Sequence, residues 1–364
     1  MSPPLAVGVV GCGYWGPNLA RTFNLDPRAT VRAICDLNPE RLDRVSGNYP
    51  GAKAFADFEA MLASGRLDAV VIATPVKTHH EIAKAALLAG KHVLVEKPMA
   101  ASASECEDLI GIATSRGLTL MVSHTYLYAP AVRRIAEFIH GGEIGELKYI
   151  NSQRLNLGLF QSDINVAWDL APHDLSIILH MMGELPVSLN CQGNSHVTPG
   201  IEDVTNLSLT FPNQRFATVQ SSWIEPRKVR QMTFVGTRKM ITYDDLQPLE
   251  KIRIYDVRVE RPPHYEDFAE FQYAYHYGDC YLPRIEQSEP LKIMCSHFID
   301  CVLSGSEPLS GGLRGLELVR ILEASSASLR AGGGPIGTAG IRGHDTGPLT
   351  MQSAQGRSTG LLPK

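Results

Sequence analysis

The apolar run Ala6–Val10 passes directly into Gly11-Cys12-Gly13-Tyr14-Trp15-Gly16, and a helical stretch near Pro17–Asn24 follows. Few folds accept that order. It is the opening strand–turn–helix of a doubly wound parallel sheet, in which each glycine has a separate task. Gly11 permits the tight turn, and Gly13 lets a pyrophosphate approach the backbone. Gly16 lets the helix pack close to the strand while its N-terminal amides face the phosphate. The next strand ends in Asp36, twenty residues after Gly16. A carboxylate there accepts from both adenosine ribose hydroxyls and repels a 2′-phosphate, so the expected cofactor is NAD, with NADP less favoured. Arg41 tempers that preference unless it is simply a solvated residue of the Pro39–Val45 helix. A glycine turn without a nucleotide is the plainer alternative, and the strand and helix flanking the turn weigh against it.

The same alternation continues to Ser123. Strands are expected at Ala6–Val10, Val31–Asp36, Ala69–Ala73, His92–Glu96 and Thr119–Val122. Helices are expected near Pro17–Asn24, Pro39–Val45, Phe58–Leu62, His79–Leu88 and Ala103–Arg116, which is the sequence form of repeated βαβ units. After a helix at Ala131–Ile139 the character changes. Glu146–Leu155, Asn206–Phe211, Ala217–Trp223, Gln231–Val235 and Met240–Tyr243 follow with little helix between them. In Leu207-Ser208-Leu209-Thr210-Phe211 apolar and hydroxyl side chains alternate, as in an antiparallel sheet covered on one face only. Helices return at Pro172–Met182, Ile293–Ser304 and Leu316–Arg330. The fold class is therefore α/β: an N-terminal Rossmann domain with a doubly wound parallel sheet over residues 1–123, then an α/β domain with an open, mostly antiparallel sheet over 124–331. Residues 332–364, rich in Gly, Ser, Thr and Pro, are expected to form a disordered tail.

A net charge of −4 with 20% charged residues gives no reason to expect nucleic acid or an anionic membrane as partner. No apolar run approaches the roughly 20 residues that span a bilayer, and Leu5–Val10 is too short and lacks the basic flank of a signal peptide. A cytoplasmic protein with a small-molecule ligand is expected. The seven cysteines are scattered without a CxxC pair, and adjacent His79 and His80 diverge on a helix, so reduced thiols and no metal are expected.

Two further constellations carry chemistry. Lys97 ends His92-Val93-Leu94-Val95-Glu96-Lys97-Pro98, where Pro98 cannot extend the strand pairing. It falls at a strand's carboxyl end, the edge of an open parallel sheet where ligands bind, or else its stem merely covers that edge. Thr74 and Pro75 end the preceding strand at the same edge, and His79 starts the next helix. Trp168-Asp169-Leu170-Ala171-Pro172-His173-Asp174 then offers an imidazole and two carboxylates, with Asp169 and His173 one helical turn apart if the turn begins early. Histidine titrates closest to neutral pH and suits removal of a hydroxyl proton, while a carboxylate fixes its tautomer. The alternative is an N-cap aspartate beside a core or surface histidine. Arg227, Lys228 and Arg230 suit a diphosphate or carboxylate, or form a solvated turn. The tyrosine-rich segment Tyr255–Pro283 fits a lid or a subunit contact.

Val7–Gly16, Glu96-Lys97-Pro98 and Asp169-Leu170-Ala171-Pro172-His173, in this order, resemble the glucose-fructose oxidoreductase and inositol dehydrogenase family, Gfo/Idh/MocA. The likeness runs from about Val7 to Arg330. It implies a Rossmann domain, an open antiparallel sheet and oxidation or reduction of a sugar or cyclitol carbon with a nicotinamide. Lys97, Asp169 and His173 map onto the family's catalytic positions and bear on the substrate, with Arg227 and Lys228 as further substrate contacts. Tyr14, Trp15, Thr74, Pro75, His79, Glu96, Lys97, Pro98 and Trp168 join Gly11, Gly13, Gly16 and Asp36 as cofactor contacts. Gly13-Tyr14-Trp15-Gly16-Pro17-Asn18, Pro226–Arg230 and Tyr277-Gly278-Asp279 are most similar to nucleotide-sugar 3-dehydrogenases of the UDP-N-acetylglucosamine or UDP-N-acetylglucosaminuronate type. Ala129 stands where relatives often carry a polar Asn. The exposed face of the open sheet is expected to join copies into a homodimer or homotetramer. A dehydrogenase of a free cyclitol, amino sugar or aminoglycoside-like pseudo-oligosaccharide, and a non-catalytic sensor of NAD or sugar, are the alternatives.

Overall fold

A computed structural model of the chain describes residues 3–65, 67–260 and 274–337. Strands β1 (Leu5–Val10), β2 (Ala29–Cys35), β3 (Lys53–Phe55), β4 (Ala69–Ile72), β5 (His92–Val95) and β6 (Leu120–Val122) form one sheet in the order β3-β2-β1-β4-β5-β6. All its pairings are parallel. The continuous Ala-Val-Val-Ile of β4 is buried on both faces because helices cover both sides of such a sheet. The intervening helices are α1 (Trp15–Leu25), α2 (Pro39–Ser46), α3 (Phe58–Ala63), α4 (His79–Leu88) and α5 (Ala103–Arg116). The strand order turns back between β1 and β4, so a crevice opens beyond Val10 and Ile72. Strand β3, absent from the sequence reading, is an edge strand of three residues with two exposed, too short for a hydrophobic pattern.

The second sheet has nine strands in the order β14-β13-β12-β11-β7-β10-β9-β8-β15. They are β7 (Leu147–Leu157), β8 (Ser188–Asn194), β9 (Val204–Thr210), β10 (Phe216–Ser222), β11 (Ile224–Gly236), β12 (Met240–Asp244), β13 (Ile252–Glu260), β14 (Ala274–Tyr281) and β15 (Ile336–Gly337). Only β10 with β7 is parallel among these pairings. Helices α6 (Pro130–His140), α7 (Val166–Met182) and α9 (Gly312–Arg330) share a core with this sheet, through Ile135, Leu175, Ile178, Leu318 and Ile321 packed with Ile150, Leu209 and Phe234. On the other face Tyr149 stacks on half-exposed Phe216 with ring centroids 5.0 Å apart.

Chain order and spatial order part company near the end. Helix α8 (Pro290–Ser304) returns to the first sheet, where Phe298 meets Phe23 of α1 edge-on at 5.9 Å and Leu291 and Met294 join the same core. The expected tail is corrected at its start, because Ile336 pairs with Leu189 and extends the sheet. Its residues 338–364 lie outside the described residues. Of Tyr255–Pro283, Tyr255 lies in β13 and Ala274–Tyr281 form β14, while 261–273 are likewise outside. Among the described residues no helix is long and apolar enough to cross a membrane.

Candidate active site

The glycine turn is built by close approach. Gly11 has φ +96° and donates its N–H to Cys35 O at 2.8 Å; a Cβ there would meet Ala73 O at 2.5 Å. A Cβ on Gly16 would lie 1.7 Å from Gly11 O, so only glycine lets α1 start against β1. Around Gly13 the space is open to 4 Å. No side chain caps the first turn of α1 and no carboxylate occupies it, which leaves its amides suited to an anionic ligand. Asp36 is fixed beside them: its carboxylate accepts from Cys12 N at 2.5 Å and Asn38 N at 2.7 Å. These residues fit a dinucleotide, with exposed Tyr14 and Trp15 as the rim.

Thr74 and Pro75 follow β4, and Lys97 and Pro98 follow β5, at one edge of the sheet. His79 ties these two loops together from below. Its ring nitrogens lie 2.9 Å from Pro98 O and 2.8 Å from Thr74 O, and the residue is 1% exposed. It therefore positions the strand ends rather than facing the crevice, which corrects its expected place among the cofactor contacts. Burial pushes its pKa down. Glu96 is also buried, accepting from Ser123 Oγ at 2.7 Å and Lys97 N at 3.3 Å; burial pushes its carboxyl upward. The Lys97–Pro98 peptide is cis.

Lys97 reaches across to the second domain, where its Nζ donates to Asp169 O at 2.8 Å and lies 3.5 Å from Asp169 Oδ1. Helix α7 makes this meeting possible. It begins at Val166, six residues before the expected Pro172, because Asn165 caps it by accepting from Trp168 N at 3.2 Å. Asp169 is thus inside the helix and shares a face with His173 one turn later. Trp223 Nε1 donates to Asp169 Oδ2 at 3.1 Å, so the carboxylate braces Lys97 and Trp223. The expected Asp169–His173 partnership is corrected, since His173 Nδ1 is buried with no hydrogen-bond partner. Burial lowers the His173 pKa well below its ordinary value, and the Lys97, Arg154 and Arg230 cations push the same way. A neutral imidazole beside a fixed ammonium is the arrangement for taking a proton and stabilising the oxyanion left behind.

Three residues that the sequence reading did not single out, Tyr126, Arg154 and His124, frame this pair together with Arg230 of the basic cluster. Tyr126 presents its ring to His173 at 5.0 Å, and its hydroxyl accepts from Arg154 at 3.2 Å and Arg230 at 3.0 Å. Arg154 makes two bonds to buried Asp174, at 2.9 and 2.8 Å, tying β7 to α7. His124 is buried with both ring nitrogens unpartnered. His124 and Tyr126 come from the one turn after β6, and Arg154 and Arg230 from β7 and β11, so no single spacing in the chain announces the group. The buried side of β7 would have marked Arg154, which pairs in register with Arg230.

Trp168 donates to Ser326 Oγ at 2.8 Å and lines a cleft of about 490 Å³ with Val76, Lys77, Ala101, Asp163 and Glu202. Arg227 and Lys228 lie elsewhere. They line a separate hollow of about 400 Å³ with Gln153, Gln220 and Gln231. That hollow is not the cleft beside Trp168. Among the described residues no group of three His, Cys, Asp or Glu side chains could hold a metal.

Residues 5–124 match the model of an oxidoreductase family with an NAD-binding Rossmann fold, and residues 132–242 match a GFO/IDH/MocA C-terminal domain. The UDP-N-acetylglucosamine 3-dehydrogenase of Acidithiobacillus ferrooxidans is 31% identical over 243 residues, covering 66% of this chain and 74% of that one. The 2,7-anhydro-N-acetylneuraminate hydratase of Escherichia coli is 28% identical over 267 residues, 68% of this chain and 69% of the relative. In fold, GenD2 from gentamicin A biosynthesis, solved in complex with NAD, superposes with a TM-score of 0.77 at 23% identity, covering 93% of this chain and 97% of that one.

Proposed function

This chain is an NAD-binding oxidoreductase of the Gfo/Idh/MocA family, and from that premise we propose that it moves a hydride between a nicotinamide and a secondary carbinol or ketone carbon of a sugar. The carbon proposed is C3 of a nucleotide-linked amino sugar or uronate. The observation that carries the reading is Lys97 meeting Asp169 across the two domains, one helical turn from His173, at the sheet edge that also bears the glycine turn.

Bound NAD supplies a hydride acceptor at nicotinamide C4. The turn of Gly11, Gly13 and Gly16 holds the pyrophosphate, and Asp36 accepts from the ribose hydroxyls, which favours NAD over NADP. His173, neutral through burial, takes the hydroxyl proton. Lys97 keeps one N–H on Asp169 O and turns its others to the substrate oxygen, stabilising charge as the C=O bond forms. Asp169 positions Lys97, and Trp168 forms part of the wall. The opposite assignment, Lys97 as base and His173 as donor, uses the same atoms.

A second reading, a dehydrogenase of a free amino sugar, cyclitol or aminoglycoside-like pseudo-oligosaccharide, is favoured by Asp163 and Glu202. Their carboxylates in the cleft beside Trp168 suit an ammonium better than a diphosphate. We further propose a homodimer or homotetramer joined through the open sheet face, and a cytoplasmic setting in keeping with seven unpaired cysteines. NADH formation by the full chain with UDP-N-acetylglucosamine, UDP-N-acetylglucosaminuronate, free inositol and an aminoglycoside tests the readings together. Turnover on the UDP-sugars is expected. NAD binding with no turnover on any of them would leave the sensor.

A further inference from the structure

The proton that His173 takes must reach solvent while substrate and cofactor fill the crevice. His173, Ser176 and His180 fall at i, i+3 and i+7 of α7, on one stripe of the helix. Ser176 and His180 line a cavity of about 20 Å³ together with His124, Arg314 and a set of leucines. Such a cavity has room for one water. His124 is 1% exposed, and neither of its ring nitrogens has a protein partner. A buried polar group left bare is costly, and a water in the adjoining cavity is the ordinary way to satisfy it. His173 Nδ1 is bare in the same way. Farther out, His180 meets His140 edge-on with ring centroids 5.6 Å apart, and His140 is exposed at the end of α6.

We propose that His124, the cavity beside it and His180 form a proton path from His173 to solvent at His140. It rests on the reading of His173 as the base. The bonds balance without a further reactant: the hydroxyl proton passes to His173, then through a cavity water and the imidazoles to bulk, while the hydride leaves with the cofactor. Each imidazole accepts at one nitrogen and releases from the other. The charged groups facing the path are Lys97, Arg154 and Arg230 at the His173 end and Arg314, paired with Glu317 at 3.0 Å, at the cavity. Burial, with Lys97, lowers His124 to about 4, and burial, with His140 and Arg314, lowers His180 to about 4, so both rings rest neutral and free to accept a proton at one nitrogen. His124 and His180 act through His173 and are positioning residues.

The test uses His124→Asn and His180→Gln, which keep size and polarity but cannot relay a proton, in the NAD-loaded full chain with the sugar giving fastest NADH formation. Single-turnover hydride transfer is expected to stay within about twofold of wild type. Steady-state turnover falls on the order of tenfold and recovers with added imidazole, as loss of a proton carrier requires. Buffer-independent turnover at the wild-type rate, or equal loss in single turnover without imidazole rescue, overturns the path. A His173→Ala control separates the two ideas: an inactive control beside unaffected relay variants removes the path alone, and an active control removes the base and the path together. On the wild-type chain without cofactor, histidine NMR should show magnetisation transfer from water to the His124 ring; its absence overturns the path even if the variants fail to fold.

Discussion

At Lys97 the chemistry depends on one ammonium held in place by one backbone carbonyl. Lys97→Ala removes both the charge and its anchor on Asp169, and turnover should fall by roughly 10²–10⁴ with NAD affinity retained. Steady-state kinetics beside an NAD titration checks this, and normal turnover in that variant would sink the proposed mechanism. The pH dependence rests on His173. Its folded pKa is depressed, so the neutral base persists above that pKa and activity is lost as pH falls through it. The acid limb of kcat/KM for oxidation should therefore lie below the ordinary histidine value of about 6.5. Stability takes the same sign: the unfolded chain binds the proton first, so acidification below about 6.5 favours unfolding. A limb at or above that value would assign the base elsewhere.

Two elements carry the site, the β1–α1 turn and helix α7. In the turn, a Cβ at Gly16 would sit 1.7 Å from a backbone oxygen that cannot swing away. Gly16→Ala should displace α1 from β1, abolish measurable NAD binding in calorimetry and lower Tm. Helix α7 is pinned by Arg154–Asp174, whose side chains are 6% and 2% exposed. Removing the carboxylate leaves a buried cation, so Asp174→Ala should cost about 3–5 kcal/mol in denaturant unfolding. A loss below about 1 kcal/mol, the scale of exposed pairs, would show that the pair is solvated in solution. The sequence reading placed α7 from Pro172 because proline suits a first helical turn. Asn165 capped it earlier, and Pro172 sits inside a helix. The local preference was real, but a stronger cap upstream outranked it, and that shift puts Asp169 on Lys97.

For the whole molecule, the open face of the nine-stranded sheet with its Tyr149–Phe216 stack is the surface proposed to join copies. Sedimentation should give a dimer or tetramer, and Phe216→Lys should shift it toward monomer; a monomer at micromolar concentration would rule the surface out. Helices α8 and α9 also belong to this scale. They come last in the chain, yet α8 completes the core around α1, and α9 packs on α5 as well as on α7. A boundary drawn along the chain near residue 123 separates the two sheets but not every helix around them.

The sequence by itself determined the parallel sheet, the glycine turn and the candidate positions Lys97, Asp169 and His173, because these rest on local rules: β-branched runs, a glycine where no Cβ fits, and residues one helical turn apart. Only the tertiary structure decided what those side chains touch. Asp169 braces Lys97 and Trp223 instead of His173, His79 ties loops instead of facing the crevice, and Arg227 with Lys228 lines a hollow apart from the cleft beside Trp168. His124 and Tyr126, from the turn after β6, and Arg154, from β7, reach His173 from two distant parts of the chain. Such contacts are set by how two sheets and their helices pack, over separations in the chain where no local pattern operates.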